Sequence, residues 1–113
     1  MTGIKRVFTE ITPNAQASTN AYTLLGDVLD CRAANSVALT VINATQTITY
    51  KVEGANRSNF TDAVQVQAPA DLAAGAIGNY ASASPVWAYY RVMIVDKVAG
   101  THGSSVLTAI VKG

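Results

Sequence analysis

Charged residues, histidine and cysteine are all scarce in this sequence. Of its 113 residues, 8 are Lys or Arg and 7 are Asp or Glu, so that 13% are charged, which is about half the share in an average soluble domain. The net charge of +1 argues against a nucleic-acid-binding protein, which needs a strongly basic face, and gives no reason to expect a membrane surface as partner. A chain that is 50% apolar and so poor in charge is expected to pack against neighbouring subunits, and we expect a homo-oligomer.

Long apolar runs are also missing. None approaches the roughly 20 residues that are needed to span a bilayer, so no membrane segment is expected. The start of the sequence has a basic pair, Lys5-Arg6, but no long apolar stretch follows it. We therefore expect no signal peptide. The length of 113 residues predicts one domain over residues 1–113.

The side chains that usually carry catalysis or bind metals are too few to form a site. His102 is the only histidine, lies in a glycine-flanked turn, and is expected to be a solvated loop residue. Cys31, the only cysteine, cannot form an internal disulfide and is expected to be a small buried or half-buried residue. Neither a zinc-type ligand set, nor a nucleophile elbow, nor a nucleotide-binding glycine motif occurs. We predict no enzyme, no metal and no cofactor.

The carboxylates do not form an acid–base pair either. Asp27 and Asp30 are three positions apart, so that they would face opposite sides of a continuous strand. Glu10 and Glu53 are the only glutamates, and alternation predicts that both face solvent.

Alternation of apolar and polar residues with a period of two is the dominant pattern, and it predicts β-strands. The predicted strands cover residues 4–12, 21–30, 36–43, 46–53, 60–67, 86–95 and 105–112. The side chains predicted to form the core are Ile48, Tyr50, Val52, Tyr90, Val92 and Ile94. In residues 36–43, alternation places Val37, Leu39 and Val41 on one face of the strand. About seven or eight short strands with frequent turn signals indicate an all-β fold, a single-domain antiparallel β-sandwich.

The connections are less clearly defined by the sequence. Residues 43–45 have the length of a hairpin loop, and residues 100–104 form a turn. Residues 69–84 are rich in Ala and Gly and fit either one helical turn or an irregular strand with a bulge at Gly75 or Gly78.

One predicted strand carries large side chains on both faces. Opposite the core face of residues 86–95 lie Trp87, Tyr89, Arg91 and Met93. Either the strand is central and covered on both sides, or its outer face meets a partner. Trp, Tyr, Arg and Met are the residue types that are enriched in interface cores, so these four residues are candidates for a partner interface.

The N-terminal segment is a second candidate interface. Its strand-like apolar residues are Ile4, Val7, Phe8 and Ile11. Residues 1–12 fit either an arm that attaches the protein by adding a strand to an exposed sheet edge, or an ordinary edge strand of the same sandwich.

Two stretches, residues 49–61 and 87–92, resemble small tailed-bacteriophage virion proteins whose jelly-roll sandwich is similar to discoidin or galactose-binding-like domains. In this chain and in those virion proteins, a strand with the pattern of Tyr50 to Gly54 leads into a polar turn and an aromatic residue. A later Tyr-Tyr-Arg-Val strand is followed by a C-terminal strand that ends in Lys-Gly. The likeness covers residues 33–113. The turn departs from the sugar-binding relatives, because Arg57 stands where an acidic residue is common and Phe60 where Trp is common.

The resemblance implies a non-enzymatic virion structural protein. The expected role is a capsid decoration (cement) protein, made in the host cytoplasm, that binds the major capsid protein on the outer surface of the phage head and stabilises it. The alternative is a tail or head-fibre adhesion module that binds a host glycan.

Overall fold

The computed structural model describes residues 15–112 and, for residues 6–10, the backbone alone. The described residues form ten strands: β1 (Arg6–Glu10), β2 (Gln16–Ala17), β3 (Thr23–Leu24), β4 (Leu29–Asp30), β5 (Ser36–Asn43), β6 (Ile48–Ala55), β7 (Val64–Leu72), β8 (Ile77–Ser82), β9 (Tyr89–Asp96) and β10 (Ser104–Lys112). No helix that is long and apolar enough to cross a membrane occurs among them.

The strands form two five-stranded antiparallel sheets. The first sheet has the order β1-β10-β5-β8, with β2 also on β10, and the second has the order β3-β9-β6-β7, with β4 also on β9. Pairing is nested along the chain: β1 pairs with β10, β3 and β4 with β9, β5 with β8, and β6 with β7. The predicted all-β, single-domain sandwich is confirmed.

The core lies between the sheets and is built by alternation, as the sequence predicts. Each of the six predicted core side chains is at most 5% exposed, and Val37, Leu39 and Val41 are buried with them. In β5 the odd-numbered residues from Val37 to Val41 face inward, and beside them in the same sheet Leu107 and Ala109 of β10 also face inward. Because an inward side chain sits at every second position of β5 and β10, the register of these two strands is strongly specified.

Residues 21–30 do not form the single continuous strand that the sequence predicts. The structure has two short strands there, separated by Gly26 at a φ of 68°, a left-handed backbone that glycine adopts without steric cost. The Gln16 side chain spans the break, because its Nε2 donates to Leu24 O at 2.7 Å and its Oε1 accepts from the Gly26 N–H at 3.0 Å. This turn lets Leu25 and Leu29 both reach the core.

The predicted strand over residues 60–67 begins too early. Phe60 lies in a turn at a φ of 58°, and β7 starts at Val64. The turn is held by the Asp62 carboxylate, which accepts hydrogen bonds from the backbone N–H groups of Asn56 and Arg57. Side-chain acceptors of this kind compete with a β-ladder for backbone donors.

Residues 69–84 form neither a helical turn nor a strand with a bulge at Gly75 or Gly78. They complete β7, turn at Gly75 with a φ of 79°, and form β8. The register shifts lie in the pairing of β6 with β7, between Tyr50 and Glu53.

The connection over residues 43–45 is not a hairpin, because β5 and β6 belong to different sheets. Asn43, which is fully buried, holds this corner. Its Nδ2 donates to Gln46 O at 2.7 Å and to Leu72 O at 2.9 Å, so that one amide links three segments of backbone.

Candidate functional site

A cluster of serine, aspartate and histidine lies where β2, the end of β9 and the loop before β10 meet. Ser18 Oγ donates to Asp96 Oδ1 at 2.5 Å, and the other carboxylate oxygen lies 2.8 Å from His102 Nδ1. The N–H of Gly103 donates to Ser18 Oγ at 2.8 Å. The Asp96 side chain is fully buried, whereas that of His102 is 52% exposed.

These are the residue types of a hydrolase triad, but their connection is different. In such a triad the histidine takes the proton of the serine, and the aspartate orients the histidine. Here the aspartate stands between the other two, and the hydroxyl of Ser18, which is 1% exposed, donates its hydrogen bond directly to the carboxylate. The cluster therefore acts as a clasp that ties the β9–β10 loop to β2, and offers no accessible nucleophile.

His102 is an exposed loop residue, as predicted, and the clasp adds a contact that the sequence did not indicate. Its ring is half exposed, but it is anchored to a buried carboxylate. Ser18 and Asp96 are 78 positions apart, so no local spacing could have indicated that they meet.

A second cluster lies on the outer face of the second sheet and corrects the expectation that Glu53 faces open solvent. Glu53 on β6 is directly opposite Arg91 on β9. Glu53 Oε1 accepts from Arg91 Nε at 2.8 Å and lies 2.7 Å from Arg91 Nη2, while Lys51 Nζ lies 3.4 Å from Glu53 Oε2. The side chains of Glu53, Lys51 and Arg91 are only 14%, 21% and 25% exposed.

Aromatic rings cover both cations of this cluster. Lys51 Nζ lies 4.3 Å from the centroid of the Tyr22 ring, and Arg91 Cζ lies 4.3 Å from that of Phe60. Both distances fall within the range of cation–π attraction. We call the set Tyr22, Lys51, Glu53, Phe60 and Arg91 the outer-face cluster. With two cations for one carboxylate, it carries a net positive charge that is partly shielded from water.

The structure brings three of the predicted interface residues together on this face. Tyr89, Arg91 and Met93 alternate along β9 away from the core, and all are half-buried. Next to them, Arg32 lies with its Cζ 5.5 Å from the Tyr89 ring centroid. Trp87 differs: it precedes β9 and packs against the core, on the inner side of Gly54, because the chain bends before the strand begins.

The N-terminal candidates are only partly within the described residues. Ile4 and Ile11 lie outside them, and Val7 and Phe8 lie in β1, which is described by its backbone alone. That backbone pairs with β10, from Arg6 opposite Lys112 to Glu10 opposite Thr108, and occupies an edge of the first sheet.

The remaining titratable groups do not add a reactive site. Cys31 is buried as predicted, and burial, together with the nearby Asp30 carboxylate, raises the pKa of its thiol to about 11. The Arg32 guanidinium, which donates to Asp30, lowers the pKa of that exposed carboxyl. In residues 6–10 and 15–112, no group of three or more His, Cys, Asp or Glu side chains could hold a metal ion.

The two sheets and the core between them define a single-domain antiparallel β-sandwich, and solved structures share this fold. The SPBc2 prophage-derived protein YomS is 9% identical, with a TM-score of 0.60 over 100% of this chain and 97% of that one. A chain of the Bacillus endospore appendages, described as disulfide-linked pili, is 12% identical, with a TM-score of 0.50 over 96% of this chain and 86% of that one.

A chain of infectious bursal disease virus, Gx strain, is 11% identical, with a TM-score of 0.52 over 96% of this chain but 32% of that one. This protein thus corresponds to a part of the viral chain. No protein-family model and no curated protein matches the sequence. At such identities the likeness shows the fold alone.

Proposed function

We propose that this protein is a non-enzymatic virion structural protein, a decoration subunit that binds the major capsid protein on the outer surface of a phage head. The observation that carries the proposal is the outer-face cluster. The outer face of a sheet that only meets water carries ordinary solvated side chains. Here it carries a partly shielded Arg91–Glu53 pair with Tyr22, Phe60 and Tyr89 around it, and Arg and Tyr are the types that dominate binding hot spots.

The connectivity of the strands also supports a virion structural protein. Nested pairing, from β1 with β10 inward to β6 with β7, follows the strand order of a jelly roll, a double-sheet fold that is common in viral capsid domains. The solved structures that share the fold include a prophage-derived protein, a virus and a pilus. Their names favour a structural role in an assembly over a free enzyme.

The clasp removes the strongest argument for an enzyme. Ser18, Asp96 and His102 are the residues that a hydrolase would use, but the serine is buried and is not connected to the histidine. A role in holding the loop accounts for all of the hydrogen bonds of the clasp.

The alternative, an adhesion module that binds a host glycan, is less well supported by the same surface. Sugars bind by stacking on free aromatic faces, and here one face of the Tyr22 ring and one face of the Phe60 ring are already occupied by the cations of Lys51 and Arg91. Binding to a glycan array at physiological salt would favour this alternative.

The experiment that tests the proposal is quantitative mass spectrometry of purified particles from the phage or prophage that encodes the chain. DNA-filled heads and tails are separated before the measurement. We expect the protein on heads, at a copy number comparable to that of the capsid subunits. Its confinement to tails, or its absence from particles, would contradict the proposal.

A further inference from the structure

Strand β8 is an open edge of the first sheet. It pairs with β5, and no other strand within residues 6–10 and 15–112 pairs with it. The order of the sheet puts β1 at the opposite edge.

The hydrogen bonds of β5 show which backbone groups of β8 point outward. Asn43 N donates to Ala76 O at 3.0 Å, toward β8, and Ala44 N donates to Ser104 O at 2.7 Å, toward β10. In an antiparallel ladder these directions alternate by residue, so the odd-numbered residues of β5 bond to the even-numbered residues of β8. The N–H and C=O groups of Ile77, Asn79 and Ala81 therefore point away from β5, outward from the edge of the sheet.

Nothing in β8 blocks the pairing of another strand at this edge. Its sequence, Ile77–Ser82, contains no charge and no proline, and its register with β5 is unbroken. By contrast, the edge strand β7 of the second sheet does carry features that hinder pairing. It contains Pro69 and Asp71, and its register shifts against β6. Proline, charge and bulges are the usual means of protecting an edge, and β8 lacks all three.

The side chains next to the open edge are also unprotected. Ile77, Asn79 and Ala81 are exposed on the outer face, and Ile77 has 58% of its surface in solvent. Its cross-strand neighbour Ile42 is 40% exposed. Exposed apolar side chains beside unpaired backbone groups are the combination that favours strand addition.

We propose that β8 pairs with β8 of a second copy of this chain, antiparallel, about a twofold axis at Asn79. In this register Ile77 lies opposite Ala81 of the other copy, and the outward-pointing groups form about six main-chain hydrogen bonds. A twofold interface must be complementary to itself. An uncharged strand meets this condition, because no like charges come together when it faces its own copy.

The oligomeric state measured by sedimentation equilibrium tests the proposal independently of capsid binding. We expect a species of twice the chain mass of 11.8 kDa. Asn79→Pro removes an outward N–H while leaving the bonds to β5 intact, and should give a monomer. Asn79→Ala is the matched control. It loses the same side chain, which accepts a hydrogen bond from Thr40, but it keeps the backbone N–H. This variant should therefore remain dimeric.

A second pair of variants covers the case in which proline disturbs the fold. Ile77→Lys places a charge at the edge and should also give a monomer, whereas Val98→Lys, at a loop position that is 62% exposed, should not. In addition, Asn79→Cys should form a disulfide-linked dimer under mild oxidation, because directly opposed residues have Cα atoms at bridging distance. A monomeric wild type at the highest soluble concentration, or a dimer that survives Ile77→Lys, would overturn the proposal.

Discussion

The indole ring of Trp87 lies across Gly54, so close that a methyl group on residue 54 would overlap the ring. Glycine is required here by this close approach and not by its backbone angles. The contact joins the end of β6 to the segment that leads into β9, and so fixes the entry to the strand that carries Arg91.

Gly54→Ala is therefore expected to displace the indole and to lower the free energy of unfolding by about 1–3 kcal/mol, as overpacking of a core does. Trp87 is the only tryptophan, so its fluorescence maximum should shift to longer wavelength in the variant. In a Trp87→Ala background the same substitution should cost clearly less, because the ring that it meets is gone. Equal costs in the two backgrounds would show that the contact is not responsible.

The clasp gives a second prediction. Asp96→Ala leaves the hydroxyl of Ser18 without its carboxylate acceptor and releases His102, and should lower the free energy of unfolding by about 1–3 kcal/mol, as expected for a buried polar group that loses its partner. Denaturant unfolding measures the change. Asp27→Ala, at an exposed position, is the matched control and should have little effect.

The thiol of Cys31 gives a prediction on pH. Its pKa is raised from 9.0 to about 11 by burial, so the folded protein holds this proton more tightly than the unfolded chain does. The resulting stability is fully present below pH 9 and is lost as the pH rises toward 11. The free energy of unfolding of Cys31→Ala should therefore fall less than that of the wild type between pH 9 and pH 11. Denaturant unfolding at a series of pH values measures the difference. Parallel pH profiles would contradict the burial of the thiol.

The sequence predicts those elements whose side chains alternate strictly. The inward faces of β5, β6 and β9 follow from the spacing of Val37, Ile48 and Tyr90 with their neighbours, because a two-residue period leaves only one way to bury them. Phe60 could not be placed in this way, since the acceptor that turns its backbone is a side chain, Asp62.

The candidate site could be predicted only in part. Tyr89, Arg91 and Met93 share a face because they are two residues apart on one strand. The burial of Glu53 depends on Arg91, 38 positions away in the chain, and the covering of Arg91 depends on the turn at Phe60. Such contacts come from the pairing of distant strands, and no local pattern encodes them.

The outer-face cluster leads to the prediction that matters most for function. Arg91→Ala removes the central cation of the face, and hot-spot arginines typically contribute more than about 1.4 kcal/mol, or tenfold in affinity. Arg57→Ala is the matched control, because Arg57 is exposed in the neighbouring turn. Circular dichroism should show both variants to be folded.

The most direct measurement is the occupancy of these variants on heads that lack the protein, added back at equal concentrations and quantified after sedimentation. We expect wild type and Arg57→Ala to saturate the heads at the same concentration, while Arg91→Ala needs at least about ten times that concentration. Equal binding of Arg91→Ala and wild type would contradict docking through the outer face of the second sheet.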